Sequence, residues 1–142
     1  LVRSRGLGDV YKRQLCQPLN RENDREALKT ILRCVELLQQ DRVSIGVFPE
    51  GYTSKTGRLQ PFRNGVFKIA QKAKVPIVVC TIRGSKPIFH RAVRLRRTHV
   101  HLDLLEVIPV EQLKGPTKFL GDRVYACMAR NLGEPLPEGD DG

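Results

Sequence analysis

Apolar residues fall into several distinct spacings along the chain. Leu28, Ile31, Leu32, Val35 and Leu38 recur at helical intervals. Asn23 and Glu26 precede them as an N-cap and capping-box pair, which predicts an amphipathic helix over about 24–40. Val43 to Phe48 is a short apolar run with strand character. The stretch from Pro49 to Arg63 is rich in Gly, Pro, Ser and Thr and predicts a long loop. A second helix is predicted over Asn64 to Lys74, with Val66, Phe67, Ala70 and Ala73 on one side, and a buried strand over Pro76 to Ile82. Val100, Leu102 and Leu104 alternate with His99, His101 and Asp103, the pattern of a half-buried strand. Leu120, Val124, Cys127 and Met128 mark a last helix that stops near Gly133.

Helices and strands in alternation predict an α/β layered domain, a mainly parallel sheet flanked by helices. Ligands in such folds bind at the carboxyl ends of strands. The loops after Phe48 and after Ile82 are expected at such ends. With 142 residues the chain suits one compact domain. The opening stretch Leu1 to Gln14 has neither period and resembles translated adapter or fusion sequence, so residues 1–14 are set aside as a non-native leader. Residues 15–133 are taken as the folded domain and 134–142 as a mobile acidic tail.

Composition narrows the classes. Hydrophobic residues are 40% and charged residues 28% of the chain, a globular balance. No apolar run approaches the ~20 residues that a spanning helix needs. The formal net charge is +10. Four basic residues against Asp9 give the leader +3 of this, so the remainder is also basic. Such a surface attracts nucleic acid, anionic lipid or phosphorylated substrates. Cys16, Cys34, Cys80 and Cys127 form no Cys-x-x-Cys pair, which argues against a zinc site or a disulfide framework. Cys34 and Cys127 fall on apolar helical faces as small hydrophobes.

The residues with the most chemistry are Phe48-Pro49-Glu50-Gly51-Tyr52-Thr53-Ser54. Pro49 cannot continue a sheet ladder, so the chain turns after Phe48. Glu50 then stands at the sheet edge, where a carboxylate can accept hydrogen bonds from hydroxyls. Gly51 permits close approach of a ligand or backbone. Thr53 and Ser54 add hydroxyls, and Lys55, Arg58 and Arg63 surround the loop with positive charge. The set suits a small polyol bearing a phosphate. An ordinary Pro-Glu-Gly turn with solvated charges would produce the same tripeptide.

Phe48 to Ser54 resembles the third sequence block of the glycerolipid acyltransferase family, usually Phe-Pro-Glu-Gly-Thr-Arg-Ser. Val75-Pro76-Ile77-Val78-Val79 is similar to the fourth block, and Leu59 to Phe67 to the connecting Pro-Phe-(basic)-x-Gly segment. Leu19-Asn20-Arg21-Glu22-Asn23 resembles the tail of the second block. Tyr52-Thr53 stands where Thr-Arg is usual, so a phosphate-holding arginine is absent from its place. Arg58, Arg63 and Lys68 are the residues able to replace its charge. Asn20 stands where an aspartate is usual.

The resemblance implies transfer of an acyl group from acyl-CoA or acyl carrier protein to 1-acylglycerol 3-phosphate, giving phosphatidic acid. A histidine removes a proton from the glycerol hydroxyl, and an aspartate orients the imidazole. Arg21, Glu50, Gly51, Tyr52, Thr53, Ser54 and Arg63 are then the substrate-binding residues, and Val75 and Pro76 border the acyl site. Arg21 suits a phosphate because its planar fork donates two hydrogen bonds at once. Glu50 orients the glycerol; nothing in the sequence points to a raised pKa, so no general-base role is assigned to it. The family's first block, His-x-x-x-x-Asp, does not occur in the chain: His90, His99 and His101 are followed five residues on by Leu95, Leu104 and Glu106. No catalytic residue is therefore assigned. The chain is expected to be the C-terminal part of a longer, N-terminally truncated protein and to be inactive by itself.

The expected partners are lysophosphatidic acid, the acyl thioester as co-substrate and a membrane surface on the cytoplasmic face. No metal or other cofactor is expected. A second basic cluster, Arg83, Lys86, His90, Arg91, Arg94, Arg96 and Arg97, suits an anionic membrane, an acidic carrier protein or simple solubility. Glycerol 3-phosphate or another lysolipid is an alternative acceptor. A basic nucleic-acid-binding module would also explain the charge. It lacks zinc-finger spacing and an aromatic RNA-recognition signature, and it leaves the ordered blocks unexplained, so nucleic acid is not expected as a partner.

Overall fold

The computed structural model describes residues 24–41, 43–51, 56–85 and 97–136. The chain divides into two units, Leu1–Ile45 and Gly46–Gly142. In the first, helix α1 runs from Asp24 to Gln39. Its proposed cap, Asn23, lies outside the described residues. The buried stripe of α1 is Cys34, Val35 and Leu37, whereas Leu28 and Leu32 are exposed. Burial is thus concentrated in the C-terminal half of the helix and is rotated from the expected face: of the five residues predicted to share it only Val35 is buried, whereas Leu37, on the opposite side of the helix from Leu28, is buried as well. Asp41 ends the helix at φ 51, with its N–H on the Leu38 carbonyl at 3.0 Å. Aspartate tolerates this left-handed conformation better than most residues.

The segment expected to be a strand runs across the boundary between the two units at Ile45 and Gly46. Residues 43–48 form no strand, and Phe48, expected to be its last buried residue, is 74% exposed. A strand exists only where its N–H and C=O groups find a neighbouring strand, and none runs beside this segment among the described residues. The predicted second helix is present in two pieces, a 3₁₀ turn over Asn64–Phe67 that continues into α2, Lys68–Ala73. Lys74 closes it in the left-handed conformation. Strands β1 (Ile77–Arg83) and β2 (His101–Ile108) follow, then a 3₁₀ turn over Val110–Gln112 and helix α3, Thr117–Leu132.

The two strands pair antiparallel, not parallel as the alternation of elements predicted. A parallel neighbour needs a crossover that carries the chain back along the sheet. Here the chain re-enters at the end it left: a side chain on Gly84 would meet the carbonyl of His99. The register places Ile77 opposite Ile108 and Val78 opposite Val107. It is interrupted between Val79, paired with Glu106, and Cys80, paired with Leu104. Leu105 is the extra residue of this bulge. One extra residue exchanges the two faces of a strand. Leu102 and Leu104, expected to face the interior, therefore point outward at 61% and 71% exposure beside Val78 and Ile82.

The inner face of the sheet packs on α3 and the 64–73 helical segment. Phe67, Ala70, Val79, Ile108, Leu113, Leu120 and Val124 form the core, and Phe62, Val66, Val75 and Ile77 pack around it. Each fully buried aliphatic side chain here contributes about 1.5–3 kcal/mol. Thr81 is the one buried polar residue among those described. Its hydroxyl donates to Asn131 Oδ1 at 2.6 Å. That bond places the C-terminal end of α3 at the carboxyl end of β1.

Candidate functional site

Pro49, Glu50 and Gly51 make a tight turn, with the Gly51 N–H on the Phe48 carbonyl at 3.0 Å. The loop that follows returns to this turn. The Arg63 N–H donates to the Pro49 carbonyl at 2.9 Å, and the Gln60 N–H donates to Glu50 Oε2 at 2.9 Å. The carboxylate is therefore held from the far side of its own loop. Glu50 Oε1 has no hydrogen-bond partner among the described residues. Gly51 has φ +75, and a Cβ there would lie 3.3 Å from Arg63 Cδ and 3.5 Å from Nε. Glycine thus serves twice: it adopts the left-handed turn, and it lets the arginine side chain lie against the backbone. Glu50, Gly51 and Arg63 are brought together in this way, with the Arg63 side chain exposed.

The C-terminal end of α3 supplies the other wall. Gly133 takes φ 70, the Gly133 N–H reaches the Arg130 carbonyl, and the Glu134 N–H reaches the Ala129 carbonyl at 2.9 Å. This is a Schellman cap, which fixes the direction in which the chain leaves the helix. Glu134 then accepts the Leu59 N–H on Oε2 at 2.8 Å. Two consecutive amides of the loop, Leu59 and Gln60, are each held by a carboxylate. Tyr125, one face of α3 further back, packs edge-on to Phe62 with ring centroids 5.1 Å apart. Phe62 in turn packs against Phe67 of the core.

The electrostatics follow from this crowding. Burial pushes the Glu50 carboxyl above the ordinary carboxylate range; the Gln60 N–H opposes the shift and the Glu134 charge adds to it. No local pattern marks this shift, because the burial that dominates it and the Glu134 charge, 84 residues away along the chain, both come from the tertiary fold. Burial and the charges of Glu134 and Glu50 also raise the Tyr125 phenol.

The remaining sequence candidates are distributed differently. Arg21, Tyr52, Thr53 and Ser54 lie outside the described residues, as do Lys55 and the 86–96 part of the second basic cluster. Val75 is half-buried on the core, with its N–H on the Ala70 carbonyl at 3.2 Å, and Pro76 is exposed. Both stand at the amino end of β1, away from the Thr81–Asn131 contact. Arg83, from the basic cluster, is paired with Asp103 at 2.6 Å. His99 and His101 are exposed at and just before the start of β2. Gln60, Glu134 and Tyr125 were not identified from the sequence. Nothing in the local pattern separates Glu134 from the acidic residues after it; only the length of α3 and its glycine cap bring it to the loop.

No group of three or more His, Cys, Asp or Glu residues among those described is arranged to hold a metal ion. No helix among the described residues is long and apolar enough to cross a membrane.

A family model described as Acyltransferase matches residues 1–83, which takes in the first fourteen residues together with the blocks around Glu50 and Val75. Among curated proteins, a chloroplastic 1-acyl-sn-glycerol-3-phosphate acyltransferase of Brassica napus is 44% identical over 71 residues, 50% of this chain and 20% of that protein. The 1-acyl-sn-glycerol-3-phosphate acyltransferase of Escherichia coli K12 is 37% identical over 92 residues, 64% of this chain and 36% of that protein. That of Salmonella typhimurium LT2 is 36% identical over 121 residues, 82% of this chain and 47% of that protein. The matched region thus spans between a fifth and about half of these relatives. No solved structure matches the chain significantly.

Proposed function

The chain belongs to the acyltransferase family, and on that premise we propose that the whole protein acylates the free hydroxyl of 1-acylglycerol 3-phosphate to give phosphatidic acid. The donor is an acyl thioester, acyl-CoA or acyl carrier protein. A base removes the hydroxyl proton, the oxygen attacks the thioester carbonyl, and the thiolate leaves as the ester forms. Relatives named as acyltransferases for this acceptor support the substrate.

The observation that carries the site is the Glu50 turn. One carboxylate oxygen is fixed by Gln60, the group is half-buried, and Arg63 lies across the adjacent glycine. Such a carboxylate can accept a hydrogen bond from a glycerol hydroxyl and hold the acceptor in one orientation, which favours attack. Arg63, with Arg21 and the 52–54 residues, supplies groups that suit the phosphate. The base is assigned to a His-x-x-x-x-Asp block elsewhere in the whole protein, since none of His90, His99 and His101 has an aspartate five residues on. On this reading the enzyme works at a membrane surface, and the cytoplasmic face is the side proposed for it.

The test is acyl transfer by the whole protein from acyl-CoA and from acyl carrier protein, with 1-acylglycerol 3-phosphate and glycerol 3-phosphate compared as acceptors. Transfer to the lysolipid is expected to exceed transfer to glycerol 3-phosphate, and residues 15–142 alone are expected to give none. Absence of transfer by the whole protein, or turnover by the short chain, would overturn these assignments respectively.

A further inference from the structure

Glu134 stands in sequence just beyond the last helix, yet it binds the loop that carries the acceptor site. The Schellman cap at Gly133 fixes its backbone, and its carboxylate accepts the Leu59 N–H at 2.8 Å. Leu59 is half-buried, and the next residue, Gln60, is the one whose N–H braces Glu50. The placement of the Glu50 carboxylate thus depends on a segment that is anchored at one amide by its own loop and at the adjacent amide by the helix end. The anchor is itself fixed to the sheet, because Asn131, three residues before Glu134, is bound to the buried Thr81.

We propose that Glu134 is a positioning residue for the acceptor site, acting through Leu59 and Gln60 to set where the Glu50 carboxylate is presented. This rests on the function proposed above for Glu50. Its chemistry is that of a hydrogen-bond acceptor of the right length, not of a charge. A glutamine at the position keeps an oxygen on the Leu59 N–H. Alanine removes it, and with it the bond from the helix end to Leu59. An aspartate, one methylene shorter, cannot span the same gap from the fixed backbone. The negative charge of Glu134 is unfavourable to the ionised Glu50 beside it, so the glutamine variant also separates the two effects.

The experiment uses the whole protein with Glu134→Ala, Glu134→Asp and Glu134→Gln, and with Glu50→Ala in parallel. KM for 1-acylglycerol 3-phosphate, KM for the acyl thioester and kcat are measured for each. A hydrogen bond to a charged carboxylate sets an upper bound of about a hundredfold, and an effect passed on through Leu59 and Gln60 is expected to be smaller. Glu134→Ala and Glu134→Asp are expected to raise the acceptor KM by up to about tenfold, with the thioester KM unchanged, and Glu134→Gln is expected to restore it. A merely structural role would move both KM values together, or would show only as a lower unfolding midpoint. If Glu134→Ala does not fold, Glu134→Asp and Glu134→Gln carry the comparison. An acceptor KM unchanged in the alanine and aspartate variants, while Glu50→Ala loses activity, would overturn the positioning role alone. No effect of Glu50→Ala would instead remove the premise on which it rests.

Discussion

Replacing Thr81 by valine tests how the helix that bears Tyr125 and leads to Glu134 is fixed to the sheet. Thr81 is 2% exposed, and its hydroxyl donates to Asn131 Oδ1 at 2.6 Å. Valine has nearly the same shape, so the cost comes from the polar atoms and not from a cavity. The bond itself contributes about 0.5–1.5 kcal/mol net, whereas a buried partner left unsatisfied costs about 1–3 kcal/mol. Asn131 is only half-buried and can recruit water, which puts Thr81→Val near the low end, about 1 kcal/mol. Asn131→Ala strands the fully buried hydroxyl and is expected to cost more, about 2 kcal/mol. Removing both partners with Thr81→Val and Asn131→Leu should recover most of the loss, because neither polar atom then remains to be satisfied. Urea unfolding followed by circular dichroism measures all three against the parent chain. For a unit of this size each kcal/mol moves the thermal midpoint by about 4–8 °C. Thr81→Val at or above parental stability, or a double variant no more stable than Asn131→Ala, would refute this view of the contact.

The other expectations concern separate parts of the molecule. Because the folded-state pKa of Glu50 is raised, the folded chain binds more protons than the unfolded one just above the ordinary carboxylate value. Stability from this group is therefore greatest in acid and falls as pH rises from about 4 through the raised value. Gln60, Glu134, Tyr125 and Arg63 surround the group. Glu50→Gln keeps an acceptor for Gln60, and it should flatten that decline in urea midpoints measured from pH 3.5 to 7.5; an identical profile would exclude Glu50 as its source. Cys34 is 4% exposed and burial raises its thiol, so iodoacetamide at neutral pH should modify it only after denaturant is added, as read by peptide mass spectrometry. Labelling in the native chain as fast as at Cys127 would contradict its burial. Leu104, 71% exposed on the outer face of the sheet, should accept Leu104→Lys within about 0.5 kcal/mol while raising the concentration at which the purified chain aggregates; a large loss of stability would show that this face is covered.

The helices could be read from the sequence because each carries its own signal. Leu120, Val124 and Cys127 repeat at 3.6 residues and Gly133 ends the run, and α3 stops where expected. Pro76 to Ile82 likewise announced a strand by composition, though only one face of it is buried, with Val78 and Ile82 exposed on the other. The orientation of that strand was not available, since pairing depends on which chain lies alongside. The bulge at Leu105 was also invisible: an even alternation from Val100 to Leu104 looks the same whichever face a later extra residue assigns it. Val43 to Phe48 had strand composition but no partner, and Phe48 is left exposed. At the site, the Pro49-Glu50-Gly51 turn was evident from residues whose backbone preferences are strong. Glu134 and Gln60 were not, because their role arises from the tertiary approach of the helix end to the loop, and no local pattern encodes it.

The orienting role of Glu50 can be measured directly with the whole protein and its Glu50→Ala variant. Both are assayed for acyl transfer to 1-acylglycerol 3-phosphate, with thioester KM and unfolding midpoint as controls. Loss of a hydrogen bond between a charged carboxylate and the acceptor corresponds to about 1.5–3 kcal/mol, so kcat/KM for the acceptor should fall by about ten- to a hundredfold while both controls hold. A folded variant that acylates the lysolipid as efficiently as the parent would contradict the role assigned to this turn.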